Sequence, residues 1–507
     1  MASQTSSRPL DSHGDAQNTR QSNATSVNKW LVFSIVGIGV FMSTLDSSIV
    51  NISLPSIAAY FGSPLSGAVE WIVIAYLVVI AASLLTIGRL ADMTGRKAIW
   101  AWGLAIFTAG SALCGAAPSM GFLIAARAFQ AIGGSLLFAV SAALLTSAFP
   151  ANERGRVLGM NALTVALGVS VGPTLGGLIT DSLSWRWIFY VNVPLGIIGV
   201  IATLRFLREP SRSTHGRFDP LGAVLLTIGL ACLTLGLSFG QEWGWTSPLL
   251  IATLTVSIVA LIALIVTEQR VKSPIVPLSL LKNRVFASAN LSLLLSFLAL
   301  FAVSFMMPFY LEQLRGFSLI ESGLLLTPLP LTIAIIAPFS GRLADRIGTR
   351  WLAAGGLAIA CLGLVFISHL KADSSIFDII WRLVLTGVGQ AIFQSPNNSA
   401  LMGSAPREAQ GIASGFLATG RVVGQSVSVA LAGAIFASIG GAHAGALLSA
   451  SHHAPPAHAL PSGVVLAAQQ TFVSGFQAAF LACAAIAVLG VGASLVRGKE
   501  APAMRRR

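Results

Sequence analysis

The chain reads as long apolar runs separated by short polar breaks, from about residue 30 to residue 495. One run, "IVIAYLVVIAASLLTIG", fills Ile72 to Gly88 with only Tyr, Ser and Thr as polar side chains. A helix rises about 1.5 Å per residue, so roughly 20 such residues cross a hydrocarbon core of about 30 Å. Lipid offers no water to backbone N–H and C=O groups, so spans of this kind are helical. The pattern predicts fourteen spans, near 30–53, 69–88, 98–116, 120–148, 157–180, 187–204, 219–239, 248–267, 286–310, 322–341, 351–369, 378–402, 411–437 and 472–495. The fold class is an all-α integral membrane protein.

Composition agrees. The 507 residues are 55% hydrophobic and only 10% charged, with mean hydropathy +0.80, against roughly 25% charged in soluble domains. Residues 1–29 are polar, rich in Ser, Asn and Gln, and lack the charged and apolar regions of a cleavable signal peptide. They read as a disordered cytoplasmic tail, so the first span directs insertion. Residues 496–507 read as a basic cytoplasmic tail.

The net charge of +13 raises the question of nucleic acid. Its distribution answers it. With the N-terminus in the cytoplasm, 25 of the 31 Lys and Arg fall on the cytoplasmic side, 3 fall outside, and Arg127, Arg382 and Arg421 lie within spans. This positive-inside bias sets the orientation, with both termini cytoplasmic, and accounts for the charge without nucleic acid.

The spans repeat. "GRLADMTGRK" starts at Gly88 and "GRLADRIGTR" at Gly341, an offset of 253, with six of ten positions identical. Arg127 matches Arg382 at an offset of 255, and Pro150, Gly155 and Gly159 match Pro406, Gly411 and Gly415 at 256. One six-span unit is duplicated. Residues 30–205 form an N-terminal six-helix bundle and 286–495 a C-terminal one, with two inserted spans over 219–267. Parallel repeats of this kind mark transporters whose halves rock about a central site.

Five motifs in order carry a resemblance. They are "LDSSIVNISLP" (Leu45–Pro55), the "GRLADMTGRK" loop, "RAFQAIGG" (Arg127–Gly134), "GVSVGPTLGG" (Gly168–Gly177) and "WRWIFYVNVP" (Trp185–Pro194). Together they resemble the major facilitator superfamily, and within it the fourteen-span drug:proton antiporters of EmrB/QacA type. The resemblance implies the major-facilitator fold and a conformational latch in the loop phrase that favours the outward-open state. It also implies that the glycine-rich fifth span prevents leak and defines exporters.

The residues suggest how. Asp46 is the one acid deep inside a span, and a carboxylate at the bilayer centre costs about 2.5–3.5 kcal/mol on insertion scales. Arg127 reaches a similar depth from the other side. Desolvation favours the neutral acid and a nearby cation favours the carboxylate. Asp46 is therefore the expected proton carrier and Arg127 its tuning partner, with Gln130 one turn away. The expected latch comprises Gly88, Arg89, Asp92, Gly95, Arg96 and Asp345. Gly168, Gly172, Gly176 and Gly177 around Pro173 predict a close, bent seam. Asn51, Gln130, Tyr76, Phe305, Tyr310, Arg382, Gln394, Asn397 and Arg421 are the candidate substrate-cavity residues. Arg382 and Arg421 have no obvious acidic partner in the spans.

The remaining features narrow the function. Cys114, Cys232, Cys361 and Cys483 are isolated in apolar runs, without metal-ligand spacing. The external loop 438–471 carries His443, His452, His453 and His458 but no acid or Cys beside them, so it reads as a flexible linker and no metal site is expected. It is also a candidate docking surface for a periplasmic adaptor protein. No GxxxxGK[ST] loop occurs, so the expected energy source is a proton gradient, without a cofactor. Apart from His369 at the end of one span, no His lies in the spans, and no paired carboxylates do, which argues against an enzyme or receptor. The reading is a monomeric, inner-membrane, proton-coupled exporter of small amphipathic organic compounds, embedded in the lipid bilayer. The alternative is a dedicated exporter of one metabolite, antibiotic, lipid or siderophore.

Overall fold

The computed structural model describes residues 28–62, 69, 71–207, 218–244, 246–271, 274–453 and 461–497. The expected tails, apart from Asn28, Lys29, Val496 and Arg497, lie outside the described residues, as do His458 and the side chains of His452, His453 and Pro173. Fourteen described helices are long and apolar enough to cross a membrane. Their main helices in chain order are α1 (Lys29–Phe61), α2 (Trp71–Thr94), α3 (Arg96–Gly115), α4 (Met120–Ala148), α5 (Arg154–Ser182), α6 (Asn192–Phe206, whose span begins at Trp187), α7 (Pro220–Trp243) and α8 (Pro248–Glu268). Then follow α9 (Arg284–Phe309), α10 (Pro328–Ile347), α11 (Arg350–Ser368), α12 (Ile376–Ser404), α13 (Gln410–Ser438) and α14 (Ser462–Leu495). A short turn, Trp187–Tyr190, leads into α6, and the helix Leu319–Leu326 leads into α10.

Local chemistry sets the helix ends. Ser119 caps α4 by accepting from Phe122 N, and Asp219 caps α7 from Gly222 N with Pro220 at the first turn. Gly95 and Gly348 join α2 to α3 and α10 to α11 at φ 104° and 93°, a region that side-chain-bearing residues enter only with strain. They are the same position of the repeated phrase.

The halves pack by repeated rules. A methyl group at Gly110 on α3 would lie 2.6 Å from Gln130 Cα on α4, and one at Gly363 on α11 would lie 2.9 Å from Thr386 Cα on α12. Gly133 meets the backbone of Phe107 just as Gly389 meets that of Ala360. These pairs fix offsets of 253 for α3/α11 and 256 for α4/α12. The structural counterpart of Arg127 is therefore the buried Leu383, not Arg382 as the sequence alignment suggested.

The inserted α7 packs on α8, and also against α2 of one half and α13 of the other. On the opposite side of the molecule the halves meet through α5 and α10. The segment expected as a flexible linker over 438–471 instead contains a helix, Gly441–His453, packed on α14 and on the π-helical turn Tyr310–Leu314. Ala444 and Leu448, one turn apart, are its buried contacts. Leu448→Asp should undock this helix, because an unpaired carboxylate is not tolerated in that apolar seat. Limited proteolysis should then cut within 438–461 about tenfold faster than in the parent, with the remaining bundle intact.

Candidate functional site: a buried charge cluster and a two-fold interdomain clasp

Asp46 on α1 is fully buried. Its Oδ2 accepts from Arg127 Nη1 on α4 at 2.6 Å, and its Oδ1 accepts from Gln130 Nε2 at 2.9 Å and Asn192 Nδ2 of α6 at 3.1 Å. Arg127 Nη1 also donates to Gln130 Oε1 at 2.6 Å, and Arg127 Nε donates to the Ile72 carbonyl of α2 at 3.3 Å. Gln130 Nε2 reaches Ser111 Oγ of α3 at 2.8 Å. The guanidinium lies 4.2 Å from the Tyr76 ring centroid and 5.7 Å from that of Phe189. One carboxylate thus gathers polar groups from α1, α2, α3, α4 and α6. Gly110 is what lets α3 approach Gln130 closely enough to complete it.

Asp46, Arg127 and Gln130, singled out in the sequence, lie in one hydrogen-bonded cluster. Asn192 and Ser111 were not singled out there, although Asn192 stands in the quoted "WRWIFYVNVP". An amide within an apolar span was the available signal. Tyr76, a candidate cavity residue, packs on Arg127, and its buried hydroxyl has no hydrogen-bond partner among the described residues.

The second constellation lies at the end of the molecule where α1 begins and α14 ends. Asp92 at the end of α2 accepts from Gly411 N and Ile412 N of α13 at 2.8 and 3.0 Å, and pairs with Arg96 at 3.0 Å. Asp345 at the end of α10 accepts from Gly155 N and Arg156 N of α5 at 2.9 and 3.1 Å. Each half therefore caps a helix N-terminus of the other half with a carboxylate, where orphan N–H groups and the helix dipole favour negative charge. The repeated glycines permit the contact. A methyl group at Gly88 would lie 2.5 Å from the Gly411 carbonyl oxygen, and one at Gly341 would strike the Gly155 carbonyl. Arg89 is half-buried and makes no ion pair with these acids among the described residues.

The glycine-rich stretch of α5 faces α1 at two of its glycines. Methyl groups at Gly168 and Gly172 would strike Thr44 and Ser48, and Ser48 Oγ donates to the Val169 carbonyl at 2.9 Å. Gly176 is buried. Gly177 is exposed with open space around it, so it takes no part in that close approach.

The other candidate cavity residues separate. Tyr310 is buried in the core of the second half and donates to the Lys371 carbonyl at 2.7 Å. Asn397 is held by Arg497, Ser292 and the Ala289 carbonyl. Arg497, expected in a solvated tail, is fully buried there and also donates to Thr349 Oγ1. Arg382 has an acidic partner after all, Asp378, at 3.4 Å one turn earlier. Arg421, about a third of the way along α13, stands 5.3 Å from the Phe297 ring with no acid within ion-pair distance among the described residues. Phe305 stacks edge-on with Phe309, Gln394 is buried on α12, and Asn51 is exposed on α1. The described residues contain no group of three or more metal-ligating side chains.

A family model described as Major Facilitator Superfamily matches residues 36–429. The chain belongs to the Major Facilitator Superfamily. It is a secondary transporter and not an enzyme. The riboflavin transporter RibZ of Clostridioides difficile is 38% identical over 411 residues, covering 81% of this chain and 88% of that protein. The multidrug resistance protein Stp of Mycobacterium tuberculosis is 32% identical over 409 residues, covering 80% and 76%. Stp belongs to the fourteen-span type that the motifs resemble, whereas RibZ is named for a single metabolite. The fold matches the crystal structure of the human organic anion transporter MFSD10, with a TM-score of 0.62 at 16% identity over 92% of this chain and 99% of that one.

Breaking the charge cluster from one side should be costly. Arg127→Leu leaves Asp46 in a dry interior and should destabilise by about 3–5 kcal/mol. Adding Asp46→Asn should recover part of that loss, because no charge is then stranded. Thermal unfolding of the detergent-purified protein, followed by tryptophan fluorescence, should show the double variant melting above Arg127→Leu alone.

Proposed function

We propose that this transporter exports amphipathic organic compounds in exchange for protons, by alternating access. The observation that carries the reading is Asp46, an acid buried in the middle of a span and hydrogen-bonded to Arg127, Gln130 and Asn192. Protonation removes the charge that orients them, so the cluster has two arrangements that differ by one proton. Similarity to Stp, whose name describes multidrug resistance, supports broad substrate range. Similarity to the riboflavin transporter RibZ favours a second reading, a transporter dedicated to one metabolite. Arg421, cationic, beside Phe297 and without an acid partner, favours neutral or weakly acidic aromatic compounds over dications.

On this reading the Asp92 and Asp345 contacts are the latch. The positive-inside distribution puts them at the cytoplasmic face, so they hold the inside closed and the arrangement is outward-facing.

The first experiment uses inside-out vesicles energised to be acidic inside, a pH-sensitive dye, and a panel of cationic, neutral and weakly acidic compounds. Proton release evoked by several unrelated compounds is the expected outcome, and release by one alone supports the dedicated reading. Asp46→Asn should insert normally and lose at least about 100-fold of the exchange rate, the size of effect typical of a positioned proton-transfer group. Normal gradient-driven efflux by that variant would refute the proton-carrier role.

The latch has its own test. Ala162 is buried beside Ala337 and Ala391, between the halves. Ala162→Cys should react slowly with an impermeant maleimide applied from the face carrying the termini. Asp92→Asn with Asp345→Asn should speed that labelling about tenfold or more, since charge-assisted hydrogen bonds contribute about 1.5–3 kcal/mol each.

A further inference from the structure

The two seams between the halves are built from repeated parts, but only one is covered. At the α2–α13 seam, α7 fills the groove. Arg89 of that seam lies within electrostatic range of Glu268 at the end of α8. The repeat-equivalent of Arg89, at the offset of 253, is Arg342 in the α5–α10 seam. No inserted helix supplies an acid there. The seam instead opens into a cavity of about 570 Å³ lined by Asn152, Glu153, Arg156, Arg342, Asp345 and Arg346.

Both acids of this cavity are already engaged. Glu153 pairs with Lys29 at 2.6 Å, and Asp345 accepts from the backbone of Gly155 and Arg156. The three arginines have no acid within ion-pair distance among the described residues. The Arg342 guanidinium lies 5.7 Å from the Phe339 ring centroid. From there Phe339, Ile335 and Leu331 form an exposed stripe one turn apart along α10. Arg342 to Leu331 spans about 16 Å of helix, the depth of one leaflet.

We infer that this cavity is a binding site for an anionic phospholipid, whose phosphate is held by Arg156, Arg342 and Arg346 and whose acyl chain lies along Phe339, Ile335 and Leu331. Guanidinium forks match phosphate oxygens, and basic pockets between helices at a membrane face suit acidic headgroups. The lipid does at this seam what Glu268 and α7 do at the other: it supplies the anion and covers the groove. It also bridges Arg156 of α5 to Arg342 and Arg346 of α10, so it steadies the contact between the halves.

The test uses the full chain in detergent, titrated with phosphatidylglycerol or phosphatidylcholine and read by native mass spectrometry. The parent should bind a first phosphatidylglycerol in preference to phosphatidylcholine, and the preference should fall as ionic strength rises. Arg342→Gln with Arg346→Gln should weaken that first binding about 30-fold, each arginine near an anionic surface contributing about 1 kcal/mol. Arg205→Gln with Lys282→Gln, an equal loss of charge elsewhere, should leave it unchanged. Arg342→Lys with Arg346→Lys, which keeps the charge but loses the forks, should weaken first binding by several-fold, less than the glutamine pair, and this pair reports on the site if the glutamine pair fails to fold. Equal phosphatidylglycerol binding by the glutamine pair, or equal loss in the control pair, would overturn the inference. Displacement of the lipid by millimolar inorganic phosphate or glycerol 3-phosphate would also overturn it, assigning the pocket to a soluble anion.

Discussion

The two halves are joined at one end by carboxylates set on the first amides of helices across the interface. This contact depends on backbones touching, because only glycine at 88, 155, 341 and 411 lets α2 meet α13 and α10 meet α5 closely enough. The geometry is reciprocal: each half gives one carboxylate and one helix N-terminus. A bond of this kind is well suited to breaking and reforming. Its donors are helix-end amides that water satisfies when the carboxylate leaves, so opening strands no buried group. A seam of interlocked apolar side chains would lack that property.

The charge cluster obeys the opposite rule. Asp46 and Arg127 lie where water does not replace a lost partner, so every donor around the carboxylate matters. The duplication makes the asymmetry visible. Packing at α3–α4 and α11–α12 is repeated glycine for glycine, yet the position of Arg127 is Leu383 in the second half, and that of Gln130 is Thr386. The same scaffold carries a buried ion pair in one half, and at the equivalent positions of the other half it carries Leu383 and Thr386, while the buried polar network of that half, around Arg497 and Asn397, lies elsewhere.

Much of this was legible in the sequence because the solvent is so restrictive. A bilayer admits few backbone solutions, so fourteen apolar runs already imply fourteen helices. An acid in the middle of an apolar span announces itself against a 10% charged background. What stayed hidden was partnership. Arg382 looked unpaired because Asp378 fell at the edge of the predicted span, and helical spacing alone joins them. Asn192 was read only as part of a motif, since nothing in a linear pattern says which amide turns toward an acid 146 residues away. Arg497 looked like tail because a basic C-terminus normally is solvated. Its burial depends on Thr349 and Asn397, contributed from two other helices. The loop helix Gly441–His453 is short and small-residue rich, so its docking surface rather than its own pattern defines it.

The cluster and the clasp are mechanically adjacent, which bears on how a proton at one acts on the other. Asp46 fixes α1 relative to α2, α3, α4 and α6 through its bonded network. The fifth helix, α5, is tied to α1 by the close approach at Gly168 and Gly172 and by Ser53 to Thr180 at 2.8 Å. The first turn of α5 is what Asp345 holds. On the proposed reading, neutralising Asp46 loosens α1 from four neighbours but leaves it attached to α5. The displacement has a rigid path, about 29 residues of continuous helix, from the membrane interior to the clasp. Leverage of this sort needs α1 and α5 to move as one body, and the two glycines that keep their backbones in contact make them so.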